Sequence, residues 1–375
     1  MRAGESAARR GGLASVRRRG DVHDHSGSLD GDGGTPTQEH AAAAEDEVTT
    51  MRAVRAHARG GAEQLRLDEV SKPEPRAGEA LVRVHAAGIT PTELGWSETW
   101  VDRQGHDRTP TIPSHEFSGV VEELGHGVTH VVVGEEVYGL VPFDHDGAAA
   151  EYVTVRARDL APKPVTLDHN RTAALPLSAL TAWQAFTEQA HVHPRDHVLV
   201  HGGAGGVGAF AVQIAKVLGA RVSATASAGD IDYVRSLGAD VAIDYKAAAF
   251  EEIVSDVDVV LDPIGGRTAE ASVGVLNEGG GLISLAGPPT VTLPEGRNLS
   301  ARFFIVEPER SQLIELARLV DDGRLRVEVA EVFPLENAAA AYEFGRTARR
   351  RGKVVMQVTA AESAMGHRQG ASPPA

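Results

Sequence analysis

Twelve residues near the middle of the chain limit its fold more than any others. His197-Val198-Leu199-Val200-His201 is a short apolar strand, Gly202 to Gly208 a glycine-rich turn, and a helical pattern continues to Leu218. Gly203, Gly205 and Gly208 fit GxGxxG, with strand before and helix after, the context that gives the motif physical meaning. The first glycine permits the tight turn, the second lets a diphosphate approach the backbone, and the third lets helix pack on strand. The diphosphate then meets the free N–H groups of Gly206 and Val207, where the helix dipole favours negative charge. A helix over Ser178–Gln189 precedes this unit. Strand Arg221–Thr225, helix Ile231–Leu237 and strands Val241–Ile243, Val257–Leu261 and Leu282–Leu285 follow it. Strands alternating with helices predict a Rossmann domain, a doubly wound parallel sheet, over residues 173–300.

The second strand speaks to which dinucleotide binds. An NAD site usually ends that strand, about 20 residues on, with a carboxylate for the ribose 2′-OH. Here it ends Ala224-Thr225-Ala226-Ser227. Ser227 can donate to a 2′-phosphate that a carboxylate would repel, so the cofactor expected is NADPH. Asp230, just before the helix at Ile231, reads as its N-cap. No Lys or Arg stands between Ala226 and Asp232; Arg235 and Tyr245 are the nearest reinforcements. Tyr245 either stacks near the adenosine or closes a strand.

The flanks have a different texture. Short β-runs broken by turns occupy 53–58, 64–70, 80–86, 119–124, 136–141 and 151–155. They predict a compact β-rich unit over 51–172, and a further segment follows over 301–358. There a helix carries Leu313, Leu316, Ala317 and Val320 on one face, followed by a helix Leu335–Phe344 and a strand Val354–Val358. Residues 1–50 hold six Arg in the first twenty and eight acidic residues in the next thirty, without aromatics, and 359–375 are similarly polar. Both read as disordered extensions. Met51, where strand-like sequence begins, is an alternative start. An arginine-rich targeting peptide is the lesser reading of the first twenty residues.

Composition excludes several classes of function. With 37 Lys and Arg against 52 Asp and Glu, the net charge is −15, which argues against a nucleic-acid partner. No apolar run of about 18 residues is present, so no membrane span is expected and the location expected is cytoplasmic. The absence of cysteine excludes disulfides, thiolate nucleophiles and sulfur-ligated zinc.

Blocks in fixed order then carry a resemblance. They are Ala86–Thr92, Pro113–Val121 (with His115-Glu116), Gly134–Gly139, Gly147–Tyr152, Leu180–Trp183, the glycine turn, Ala224–Ser227, Leu261–Gly266 and Gly352–Val355. Over residues 51–358 the chain resembles the medium-chain dehydrogenase/reductase superfamily, in its zinc-free quinone oxidoreductase (zeta-crystallin-like) branch. The resemblance implies a GroES-like β-rich catalytic domain with the Rossmann domain inserted, an α/β fold with the active site between them, and a homodimer. It also implies that Thr90 faces the nicotinamide, that Thr181 contacts its carboxamide, and that Phe303-Phe304-Ile305-Val306 passes beside it. Lys353 would be a phosphate or cleft contact. Bland readings stand beside these: Thr181 as helix packing, Phe303–Val306 as a buried strand, and Lys353 as part of the solvated run with Arg349-Arg350-Arg351.

Zinc-dependent members place Cys, His and Cys where this chain has Thr90, His115 and Ser178. A neutral hydroxyl is a poor ligand beside a thiolate, so no metal is expected. His115 then becomes structural or lines the cleft. Without a Lewis acid, hydride transfer needs an acceptor that is already electrophilic, a quinone or an α,β-unsaturated carbonyl. Thr90 is the first candidate to donate to the developing oxyanion, with solvent as the other proton source. The small-molecule alternatives are an enoyl-thioester reductase and a non-catalytic NADPH-binding sensor or crystallin-like protein.

Overall fold

A computed structural model describes residues 49–348 and 350–359; the expectations for the two extensions fall almost wholly outside these. Alternating apolar residues in the first third become strands because every second side chain reaches a common core. β1 (Thr50–Ala56) and β2 (Leu65–Ser71) form an antiparallel hairpin. β3 (Glu79–Ile89) is followed by a one-turn helix, α1 (Ser97–Trp100), and then by β4 (Glu116–Leu124), β5 (Glu136–Leu140), β6 (Tyr152–Arg156) and β7 (Ala161–Pro162). β3 is the hub, pairing with both β4 and β6.

After α2 (His169–Ala173) and α3 (Pro176–Gln184) comes the parallel sheet. Its elements are β8 (His197–Val200), α4 (Gly206–Val217), β9 (Arg221–Ala226), α5 (Ile231–Ser236), β10 (Val241–Asp244), β11 (Val257–Asp262), α6 (Arg267–Val275), β12 (Leu276–Ser284) and β13 (Ser300–Phe303). The strand order β10-β9-β8-β11-β12-β13 reverses direction of growth between β8 and β11, the position where α/β sheets open a crevice. Both faces are covered. Val198 and Val200 enter one core with residues of α3, α4 and the next helix, while Leu199 enters another with Phe250, Ala269 and Val275.

The chain then forms α7 (Arg310–Asp321), β14 (Val329–Pro334), α8 (Ala338–Thr347) and β15 (Lys353–Gln357). β15 returns to β3 in antiparallel register, Val354 opposite Ile89, and β14 lies parallel on its other side. The molecule is thus a GroES-like β-rich sheet joined to a Rossmann sheet. Among the described residues no helix is long and apolar enough to cross a membrane.

Some elements differ from expectation. α3 starts two residues earlier, at Pro176, whose fixed φ suits a first helical turn, and 185–189 wind as a π-helix. β12 begins at Leu276 and runs through Gly279-Gly280-Gly281, residues that disguise it as a loop. A Cβ at Gly280 would stand 3.2 Å from the Asp258 carbonyl oxygen, so glycine lets β11 approach. Phe303–Val306 is no buried strand: β13 ends at Phe303, and Phe303 and Ile305 are 38% and 43% exposed at the sheet edge.

Candidate active site

At the carboxyl ends of β8, β11 and β12 lies a cavity of about 320 Å³. Its walls come from every part of the fold: Thr90, Thr92 and Trp96 beyond β3, Phe143 beyond β5, Leu177 and Thr181 on α3, Val207 on α4, Pro263 and Leu285 beyond β11 and β12, and Phe303–Val306. Thr90, Thr181, Val207, Phe303 and Phe304 are therefore brought together. Thr181 packs within its helix, its hydroxyl donating to the Leu177 carbonyl at 2.7 Å, and the residue also lines the cavity. The Asp262 carboxylate accepts from the N–H groups of Ile264 and Gly265 and so shapes the turn carrying Pro263.

The glycine turn meets the demands of a dinucleotide. Gly202 has φ +64°, a left-handed conformation that suits glycine. A Cβ on Gly208 would stand 2.1 Å from the Gly202 oxygen, and one on Gly203 would stand 3.0 Å from Ala224 Cβ. Gly205 caps α4 without any side-chain hydrogen bond, so the helix-start N–H groups of Gly206 to Gly208 are left for an anion. The residues present fit the cofactor.

Beyond the carboxyl end of β9 the structure corrects two readings. Ser227 donates to Asp230 Oδ2 at 2.6 Å; Asp230 stands at the N-cap position but does not cap α5 with its side chain. Its other oxygen accepts from Arg351 Nε at 2.8 Å, and Arg351 also donates to the Gly229 carbonyl and stacks over Tyr233. Arg351 is thus no free surface charge, and Arg350 is half-buried beside it; Arg349 lies outside the described residues. A cation absent from the β9–α5 loop arrives from the end of the chain, a proximity that sequence spacing could not reveal. Tyr245 follows β10, 56% exposed, its N–H bonded to the Ala226 carbonyl. Arg235 pairs with Asp232 instead.

His115 does not line the cavity. It is buried behind Phe143, ring edge to ring face at 5.1 Å, with no hydrogen bond to either nitrogen. Burial pushes its pKa down to about 3, leaving a neutral imidazole. Its nearest carboxylate, Glu93 at 3.9 Å, was not singled out by the sequence. Glu93 is buried, accepts from the Ser114 N–H and from the Tyr342 hydroxyl, and is pushed up to about 7, chiefly by desolvation.

Lys353 sits inside the molecule, 5% exposed, rather than on the surface. Its ammonium donates to Thr90 Oγ1 at 3.1 Å and pairs with Glu116 Oε1 at 2.5 Å. Glu116 Oε2 in turn accepts from the Leu177 N–H at 2.9 Å.

Comparisons with known proteins agree with this geometry. Residues 76–165 match the alcohol dehydrogenase GroES-like domain, and residues 237–356 match the zinc-binding dehydrogenase family. A probable zinc-binding oxidoreductase, mitochondrial, from Arthroderma benhamiae is 34% identical, over 75% of this chain and 88% of its own length. The NADPH-dependent alkenal/one oxidoreductase, chloroplastic, of Arabidopsis thaliana is 34% identical over 79% of this chain and 77% of its own. The quinone oxidoreductase structure from Coxiella burnetii superposes with a TM-score of 0.75 at 31% identity, covering 83% of this chain and all of that one. The chain belongs to the medium-chain dehydrogenase/reductase superfamily, in its zinc-free quinone oxidoreductase branch. As a member of that superfamily it departs from the zinc-dependent enzymes in its donor set. Thr90 offers a hydroxyl already bonded to an ammonium, His115 is buried behind Phe143, and Ser178 offers a second hydroxyl. Among the described residues no three His, Asp or Glu side chains are grouped to hold a metal ion. A cation beside the first ligand position disfavours a second one there. The donor set does not fit zinc.

Proposed function

We propose that this protein is an NADPH-dependent, zinc-independent reductase of quinones and α,β-unsaturated carbonyl compounds. The make-up of the cavity carries this reading: apolar walls beside the glycine turn, with the Thr90 hydroxyl held in the wall and no Lewis-acid donor set. When bound, the dihydronicotinamide supplies the hydride. Gly203 to Gly208 would hold the diphosphate, Arg351 the 2′-phosphate end beside Ser227, and Val207, Thr181 and Leu285 the nicotinamide side. Trp96, Phe143 and Phe304 exclude water and seat an apolar acceptor. As the β-carbon of an enone is reduced, an electron pair moves to the carbonyl oxygen. Thr90 donates a hydrogen bond there, and water supplies the proton that completes the saturated ketone.

A second cavity, about 230 Å³, continues the first through shared Glu98, Phe143, Ile305 and Val306. It carries Glu98, Asp102, Asp144 and Glu307 against Arg103 alone, and Arg103 is already paired with Asp144 at 2.8 Å. Negative charge at this outer end repels the phosphates of a thioester's pantetheine arm and favours short, uncharged acceptors. NADPH oxidation measured with a benzoquinone, cyclohex-2-enone and crotonyl-coenzyme A tests the reading. Turnover with the first two and little with the third is expected. Turnover confined to the thioester would replace the proposal, and tight NADPH binding without oxidation by any acceptor would make the protein a sensor. The homodimer expected from the family would form along β13, one of the two edge strands of the six-stranded sheet. Light scattering that gives a monomer mass at micromolar concentration would remove that seam.

A further inference from the structure

We infer that Lys353 is a positioning residue for this reduction, its ammonium, anchored by Glu116, setting the direction in which the Thr90 hydroxyl donates. The inference rests on the reductase reading above and adds to it the device that orients its donor.

The arrangement follows from strand register. Gly88 of β3 lies opposite Glu116 of β4, and Ile89 lies opposite Val354 of β15. The next residue along β3 is Thr90 and the preceding one on β15 is Lys353, so one hub strand delivers all three groups to one place. Glycine makes the room: a Cβ on Gly88 would stand 2.7 Å from Glu116 Cγ, and one on Gly206 would stand 3.2 Å from Lys353 Cδ. Glu116 is fully buried, and both its oxygens are engaged, by Lys353 and by the Leu177 N–H. The ammonium is thereby held on a rigid support.

Donor chemistry does the rest. An ammonium has three donors and no acceptor, so in the 3.1 Å contact Thr90 Oγ1 must accept. That leaves the hydroxyl its single hydrogen. Among the described residues no acceptor takes it, while Thr90 lines the cavity. The hydrogen is therefore directed to whatever oxygen occupies the cavity. The positive charge behind Thr90 also polarises its O–H bond, strengthening the donation as charge grows on that oxygen. No proton leaves Lys353 in this role.

A spectroscopic test separates this from simple structural support. Carbonyl-¹³C-labelled cyclohex-2-enone bound to the protein with NADP⁺ should show a carbonyl stretch shifted to lower frequency than in a non-hydrogen-bonding solvent. Thr90→Val and Lys353→Met should each lose most of that shift, and Lys353→Arg should keep part of it. In turnover, Thr90→Val and Lys353→Met should each lower kcat by roughly 10- to 100-fold, with NADPH affinity within about 3-fold of the parent. In the Thr90→Val background, Lys353→Met should then cost less than about 3-fold, because both remove one interaction. Since Lys353→Met alone strands a buried carboxylate, Lys353→Met/Glu116→Gln serves as the folded control and should behave alike. A shift that survives in both Lys353→Met proteins, or losses that multiply with Thr90→Val, would overturn the inference and leave the reductase reading intact. A shift that follows Lys353 in a protein that reduces no acceptor would uphold the direction of the Thr90 hydrogen bond but overturn both the reductase reading and the role of Lys353 in it.

Discussion

In the proposed binding mode, Ser227, Asp230 and Arg351 act on cofactor choice as a group. Ser227 alone reads as an open berth for a 2′-phosphate, but its hydroxyl is bonded to a carboxylate, and that carboxylate is neutralised by an arginine 121 residues away. Neutralisation is what lets a phosphate approach. Arg351→Ala would remove one compensating positive charge from Asp230 beside the 2′-phosphate while sparing the 2′-OH of NADH. NADPH affinity should fall ~10-fold relative to NADH, about 1.4 kcal/mol, a modest figure because Arg351 is half-exposed. Fluorescence titration of both reduced cofactors checks it; an equal loss for both would mean that Arg351 only supports the loop. The sequence displays Ser227 and the missing carboxylate at the strand end, yet in it Arg351 is indistinguishable from its two arginine neighbours. Charge runs carry no address until the chain folds.

At the scale of elements, the buried Glu93 links three of them. It stands in the turn beyond β3, accepts from Ser114 just before β4, and is bonded by Tyr342 of α8. Burial raises its pKa to about 7 from an ordinary 4.5. The folded chain therefore keeps a proton that the unfolded chain releases between those values. This contribution to stability is fully present below about pH 4.5 and is lost as pH rises through about 7. His115 works the other way, its depressed pKa costing stability as pH falls below 6.5. The difference between parent and Glu93→Gln isolates the first effect. Urea midpoints from pH 5 to 8 should fall more steeply in the parent, and parallel curves would show that Glu93 titrates normally. Elements with a clean period, such as β3, β8, α4 and α7, were legible. The first part of β12 was obscured because its glycines serve contact with β11 and carry no apolar alternation. Phe303–Val306 reads as a buried strand because edge exposure leaves no trace in local composition.

For the whole molecule, the order of blocks in the sequence was enough to place a Rossmann sheet within a GroES-like one, because GxGxxG and the alternating strands are local signals. The candidate site was legible only in part. Thr90, Thr181, Val207, Phe303 and Phe304 do meet in one cavity, while His115 is withdrawn behind Phe143. The support beneath Thr90 was hidden, since Lys353 lies 263 positions away in the chain. Those features fit the proposed metal-free reduction, with a buried ammonium and a hydroxyl at the cavity wall. The most direct test is NADPH consumption with cyclohex-2-enone by protein treated with a strong chelator and shown by elemental analysis to hold far less than one zinc per chain. One NADPH should be oxidised per saturated ketone formed, at a rate equal to that of untreated protein. Turnover abolished by the chelator and restored by stoichiometric zinc would contradict it.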